Sequence, residues 1–174
     1  GSEMCIRDSD AMDGAVVITK NITPAFQEAA LANQDKLIVH ATITGFGGTK
    51  VEPNVPKVEA NFDALATLIQ NGFPQEKTVI RIDPIIPTPK GIQTALNVFR
   101  KAIDGGFSRF RISIIDMYPH VRERFKTAGL PRPYGDAGFS PSSEQVKAVD
   151  DMLMSVFAYY GGKSPMPKIE CCAE

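Results

Sequence analysis

The chain has little cysteine: Cys5, Cys171 and Cys172 are the only three in 174 residues. They are too few and too badly spaced for a disulfide scaffold, and no secretory signal is visible. Adjacent side chains of an extended strand point to opposite faces, so Cys171 and Cys172 do not converge on one metal. A reducing, cytoplasmic setting is the default expectation. Long hydrophobic runs are missing as well, and none approaches the roughly 18 residues needed to span a bilayer. Charge of one sign is also lacking. Nineteen Lys and Arg against 20 Asp and Glu leave a net charge of -1, no footprint for bulk nucleic-acid binding. Hydrophobic residues at 43% and charged residues at 22% suit an ordinary globular domain, which excludes disordered, collagen-like and coiled-coil chains.

What is present is an alternation. Five runs rich in β-branched residues, at 16–20, 37–44, 78–83, 110–116 and 169–173, read as strands. Amphipathic stretches separate them. Pro24 fits the first turn of a helix to about Asn33, with Thr23 as its cap, and a second helix covers 58–70. Ile92, Ala95, Leu96, Phe99 and Ile103 share one face of a third. Ser142 and Gln145 form a capping box for the last helix. Its buried stripe is expected to be Val146, Val149, Met152, Leu153, Val156, Phe157 and Tyr160.

Strand-helix alternation of this kind gives a parallel sheet with right-handed crossovers. An open doubly wound sheet and part of a (β/α)8 barrel both fit that order. Buried strands of an open sheet should be almost continuously apolar. Here polar groups recur two residues apart: His40, Thr42 and Thr44; Arg81 and Asp83; Arg111 and Ser113; Glu170, Cys172 and Glu174. Such a face suits a barrel lumen holding a ligand, and five strands cannot close one. The expected fold is therefore α/β, a partial (β/α) TIM-like barrel of about five parallel strands alternating with helices. Residues 1–10 lack either period and read as a non-native or disordered leader, leaving 11–174 as a single partial-barrel domain. The last residues read as a strand that stops without a turn, so a fragment is expected. Its open strand edges favour self-association.

Ligands of parallel β/α folds bind at the carboxyl ends of strands. Lys20, Thr44, Gly45, Gly47, Gly48, Arg81, Asp83, Asp116 and Glu174 stand there. The three glycines are either a plain turn or a cradle bringing backbone amides to an anion. No helix follows them directly, so a dinucleotide fingerprint fails its context. Arg81 and Asp83, about 7 Å apart along one strand face, are either a structural ion pair or an anion fork with its orienting carboxylate. Lys20 either snorkels to the rim or serves as an amine nucleophile, for which no activating partner is evident. His40 reads as a satisfied core histidine and His120 as part of a surface turn. Arg122, Arg124, Lys126 and Arg132 form a short basic cluster, a solvated face or a phosphate contact. No Ser-His-Asp, Cys-His or metal-ligand spacing has support.

Several strings taken together resemble a bacterial family called domain of unknown function 1848, related to the radical S-adenosylmethionine barrels and likened to spore photoproduct lyase. They are Ile-Thr-Lys-Asn (18–21), Thr-Ile-Thr-Gly-Phe (42–46), Glu-Pro-Asn-Val-Pro (52–56), Arg-Ile-Asp-Pro-Ile (81–85), Ser-Ile-Ile-Asp-Met-Tyr (113–118) and Cys-Ala-Glu (172–174). The resemblance implies a complete form carrying a 4Fe-4S cluster on Cys-x-x-x-Cys-x-x-Cys, with S-adenosylmethionine bound to the open iron. Lys20, Thr44, Gly45, Gly47, Gly48, Arg81, Asp83, Asp116 and Glu174 would then bind cofactor or substrate. In the family the cysteine motif lies downstream of Cys-Ala-Glu and is not among these residues, so no cluster is expected on this chain. The other reading is a partial barrel that holds an anionic small molecule without chemistry, or an inert fragment.

Overall fold

The computed structural model describes residues 13–135, 137–161 and 168–171. Its strands are β1 (Ala15–Thr19), β2 (Leu37–Thr42), β3 (Thr78–Ile85), β4 (Arg109–Ile114) and β5 (Lys168–Cys171). They form one parallel sheet in the order β1-β2-β3-β4-β5, each hydrogen-bonded to the next in sequence. The helices are α1 (Pro24–Ala32), α2 (Val58–Gln70), α3 (Pro89–Asp104), α4 (Pro119–Thr127) and α5 (Ser143–Tyr160). The order never reverses, so this is a partial β/α barrel and not a doubly wound sheet. Among the described residues no helix is long and apolar enough to cross a membrane.

Local chemistry accounts for the helix boundaries. The Thr23 hydroxyl accepts from the Phe26 amide and the Thr88 hydroxyl from the Gly91 amide, each just before a proline in the first turn. Ser142 and Gln145 exchange both bonds of a capping box. Along β2, β3 and β4 every second residue enters the core: Val39 and Ala41, Ile80 and Ile82, Phe110 and Ile112. Leu65 and Leu68 of α2 and Val98 and Phe99 of α3 join the same cluster. Phe99 meets Phe110 with ring centroids 5.0 Å apart. The alternate residues, Thr42, Arg81 and Arg111, line the opposite, polar face.

Two expectations shift. The buried stripe of α5 is narrower than the sequence pattern suggests: Val149, Met152, Val156 and Tyr160 are inside, while Val146 and Phe157 are exposed. The helix packs along α3, and one neighbour covers a seam and not a broad face. The segment at 119–127 is helix, with His120 in its first turn. Its apolar content is only Val121 and Phe125, four residues apart. Phe125 is buried with Phe46, Ile86, Ile115 and Met117 in a second apolar cluster, which fastens the loops at the carboxyl edge of the sheet.

Candidate functional site

The polar face is ordered by strand register. Thr42 pairs with Arg81, Arg81 with Arg111 and Arg111 with Glu170, so one row across β2 to β5 carries two adjacent guanidiniums. Arg81 donates from Nε to Asp83 Oδ2 at 2.7 Å and from Nη2 to the same oxygen. Ser113 donates its hydroxyl to Asp83 Oδ1. Asp83 is thus held from both sides, and the guanidinium of Arg81 makes no further hydrogen bond among the described residues. Arg111 reaches Glu170 at 3.3 Å in a more exposed pair.

Nearer the carboxyl edge, Lys20 donates to Glu52 Oε1 and Thr44 donates to Glu52 Oε2. One carboxylate therefore ties the end of β1 to the end of β2. Asp116, just past β4, accepts from Ser140 at 3.3 Å. Tyr134 donates its hydroxyl to the Ile115 carbonyl at 2.5 Å. Burial, and secondly Asp116, push that phenol above its ordinary range, so it stays a donor. Lys20, Glu52, Asp83, Ser113 and Asp116 all line a groove of about 1420 Å³ that opens between residues 50–55 and α4.

The structure thus brings Lys20, Asp83 and Asp116 into the groove, with Thr44 joined to it through Glu52 and Arg81, in the middle of β3, through Asp83. The glycines are taken up by chain packing. A Cβ on Gly45 would meet Thr94 Cγ2 at 2.3 Å, and one on Gly47 would meet the Pro56 carbonyl oxygen at 1.9 Å. Gly45 and Gly48 also have φ of 87° and 71°, a region costly for other residues. Glu174 lies outside the described residues. Glu52, Ser113 and Arg111 are additions to the candidate set. Glu52 opens the Glu-Pro-Asn-Val-Pro string, so it had a signal, but its contact with Lys20 spans 32 residues. The basic cluster is divided: Arg122 turns inward to the carbonyls of Met117 and Gly138, at 2.7 Å and 3.1 Å, while Arg124 lines the groove.

His40 is buried at 7% exposure, as expected, but its Nδ1 has no hydrogen-bond partner. Burial first, then Arg111, Arg81 and Arg109, lower its pKa below 6.5, with Glu170 opposing. It is a neutral imidazole beside a cationic row.

No curated protein and no solved structure matches the chain. A family model matches residues 3–174, nearly the whole sequence. The chain belongs to the family described as domain of unknown function, DUF1848.

Proposed function

We propose that this chain is a ligand-binding portion of a β/α barrel that receives a small anionic molecule over β3 and β4. The observation carrying this reading is the direct opposition of Arg81 and Arg111. Like charges facing each other across two strands destabilise a sheet. Asp83 and Glu170 offset part of that repulsion, and a bound carboxylate or phosphate would offset the rest through charge-assisted forks. Asp83 and Ser113 then orient Arg81, and Glu52 and Lys20 bound the site on the β1 side.

S-adenosylmethionine is the specific ligand favoured by the resemblance of the strand-end strings. Its carboxylate suits the arginine pair and its amino group suits Asp83 or Glu52. A 4Fe-4S cluster does not fit the residues present. The three cysteines lack Cys-x-x-x-Cys-x-x-Cys spacing, and among the described residues no three His, Cys, Asp or Glu converge on a metal position. The reading is therefore one of binding, with no reaction step.

Calorimetric titration of the 174-residue chain with S-adenosylmethionine and, separately, with inorganic phosphate tests it. Saturable binding that disappears in Arg81→Ala and Arg111→Ala is expected. Arg109→Ala should leave it intact, because Arg109 is committed to the Glu76 carbonyl near the start of β3. Phosphate binding without S-adenosylmethionine binding would remove the specific ligand and keep the anion site. Binding unchanged in both arginine variants would overturn the reading.

A further inference from the structure

The outer end of the groove has a different chemistry. Lys20 neutralises Glu52 and Arg81 neutralises Asp83, while among the other described lining residues Asp116, Glu123 and Asp150 stand against Lys50 and Arg124, so that part of the lining is net negative by one charge. Tyr118 and His120 lie at its mouth with their rings parallel, 10° apart in plane and 5.9 Å between centroids. Phe139 meets Tyr118 at 89° and 5.0 Å. Both Tyr118, at 46%, and Phe139, at 43%, remain exposed. Large exposed aromatics in a cluster signal a contact surface.

This corner is also held in place. The Met117 amide donates to the Phe139 carbonyl at 2.8 Å, and Arg122 clasps the carbonyls of Met117 and Gly138. Two segments about twenty residues apart are so stapled together beneath the rings. Packing of the second apolar cluster needs Met117 and Phe125 but leaves Tyr118 and Phe139 outside. Perpendicular aromatic walls beside a carboxylate, at the mouth of a negatively lined groove, are the recognition chemistry of an organic cation.

We propose that Tyr118, Phe139 and Asp116 form a binding corner for a small organic cation of the methylated-ammonium type. The ring faces supply cation–π attraction, His120 backs Tyr118, and Asp116 keeps one oxygen beyond its Ser140 contact. This inference does not rest on the arginine pair, which has the opposite charge preference and lies on the sheet face.

Choline is the probe, with 3,3-dimethylbutanol as its uncharged counterpart of the same shape, titrated into the 174-residue chain by calorimetry. Choline should bind saturably and about tenfold more tightly than the alcohol, the ratio that a partly desolvated cation–π contact supplies. Tyr118→Ala should abolish the difference, and Tyr118→Phe should keep it. Asp116→Asn should weaken choline severalfold and leave the alcohol unchanged. Circular dichroism identifies any variant that has lost the fold, and Phe139→Leu then serves as the second test of the corner. Equal affinity for choline and the alcohol, or a difference that survives loss of the ring in a folded variant, would overturn the inference. Phosphate binding measured on the same variants reports the arginine site separately.

Discussion

His40 makes the protein sensitive to acid in a calculable way. In the folded chain its imidazole is buried, its Nδ1 is unpartnered, and Arg81, Arg109 and Arg111 face it. All of these disfavour the charged ring, so the folded pKa lies below the unfolded value of 6.5. Above pH 6.5 neither state binds the extra proton, and the stability is whole. As pH falls below that value the unfolded chain takes up a proton that the folded chain refuses. Stability then drops, by at most about 1.4 kcal/mol per pH unit for one group, until the folded pKa is reached. Urea unfolding of the wild type and of His40→Gln, at several pH values from about 8 to about 5, isolates this contribution. The difference between the two curves should be flat above pH 6.5 and should turn against the wild type below it. Arg111→Ala should shorten the window by removing the largest of the opposing charges. Parallel curves for wild type and His40→Gln, or a wild type that gains stability on acidification relative to the variant, would refute the reasoning.

Three further outcomes follow from packing. Gly47→Ala forces a methyl against the Pro56 carbonyl at 1.9 Å and should cost about 1–3 kcal/mol, read as a lower urea midpoint. Phe99→Ala empties a fully buried position against Phe110 and should cost about 3–5 kcal/mol in the same measurement. Ser142→Ala removes one half of the α5 capping box and should cost about 1 kcal/mol, with Ser142→Gly or Ser142→Asp recovering most of it.

Much of the architecture was legible because parallel β/α chains write it twice, once in the alternation of elements and once in the two-residue period within strands. Arg81 with Asp83, and Arg111 with Ser113, announced a polar face before any register was known. The register added what periodicity cannot carry, that Arg81 and Arg111 are opposite each other. Helix α4 was hidden because its charged residues mask a two-residue apolar signature, Val121 and Phe125, although Pro119 marked its start. Glu52 was quoted in a string but given no role, since a loop carboxylate reaches Lys20 and Thr44 only through the tertiary fold. The exposure of Tyr118 and Phe139 depends on a backbone staple between distant segments, which no local pattern encodes. His40 was placed inside correctly, but its missing partner is a property of its neighbours, not of its own strand.

The uninterrupted strand order has a consequence for how the molecule comes apart. Among the described residues every strand pair joins strands consecutive in sequence, so no interface waits for a strand further along the chain. Cohesion of this kind is close to nearest-neighbour, like links in a row. Amide exchange should therefore show a gradient, fastest at β1 and β5 and slowest in β3, which has a hydrogen-bonded strand on either side and α3 packed against it. Opening would travel inward from the ends, and the strand that carries Arg81 and Asp83 would be the last to let go.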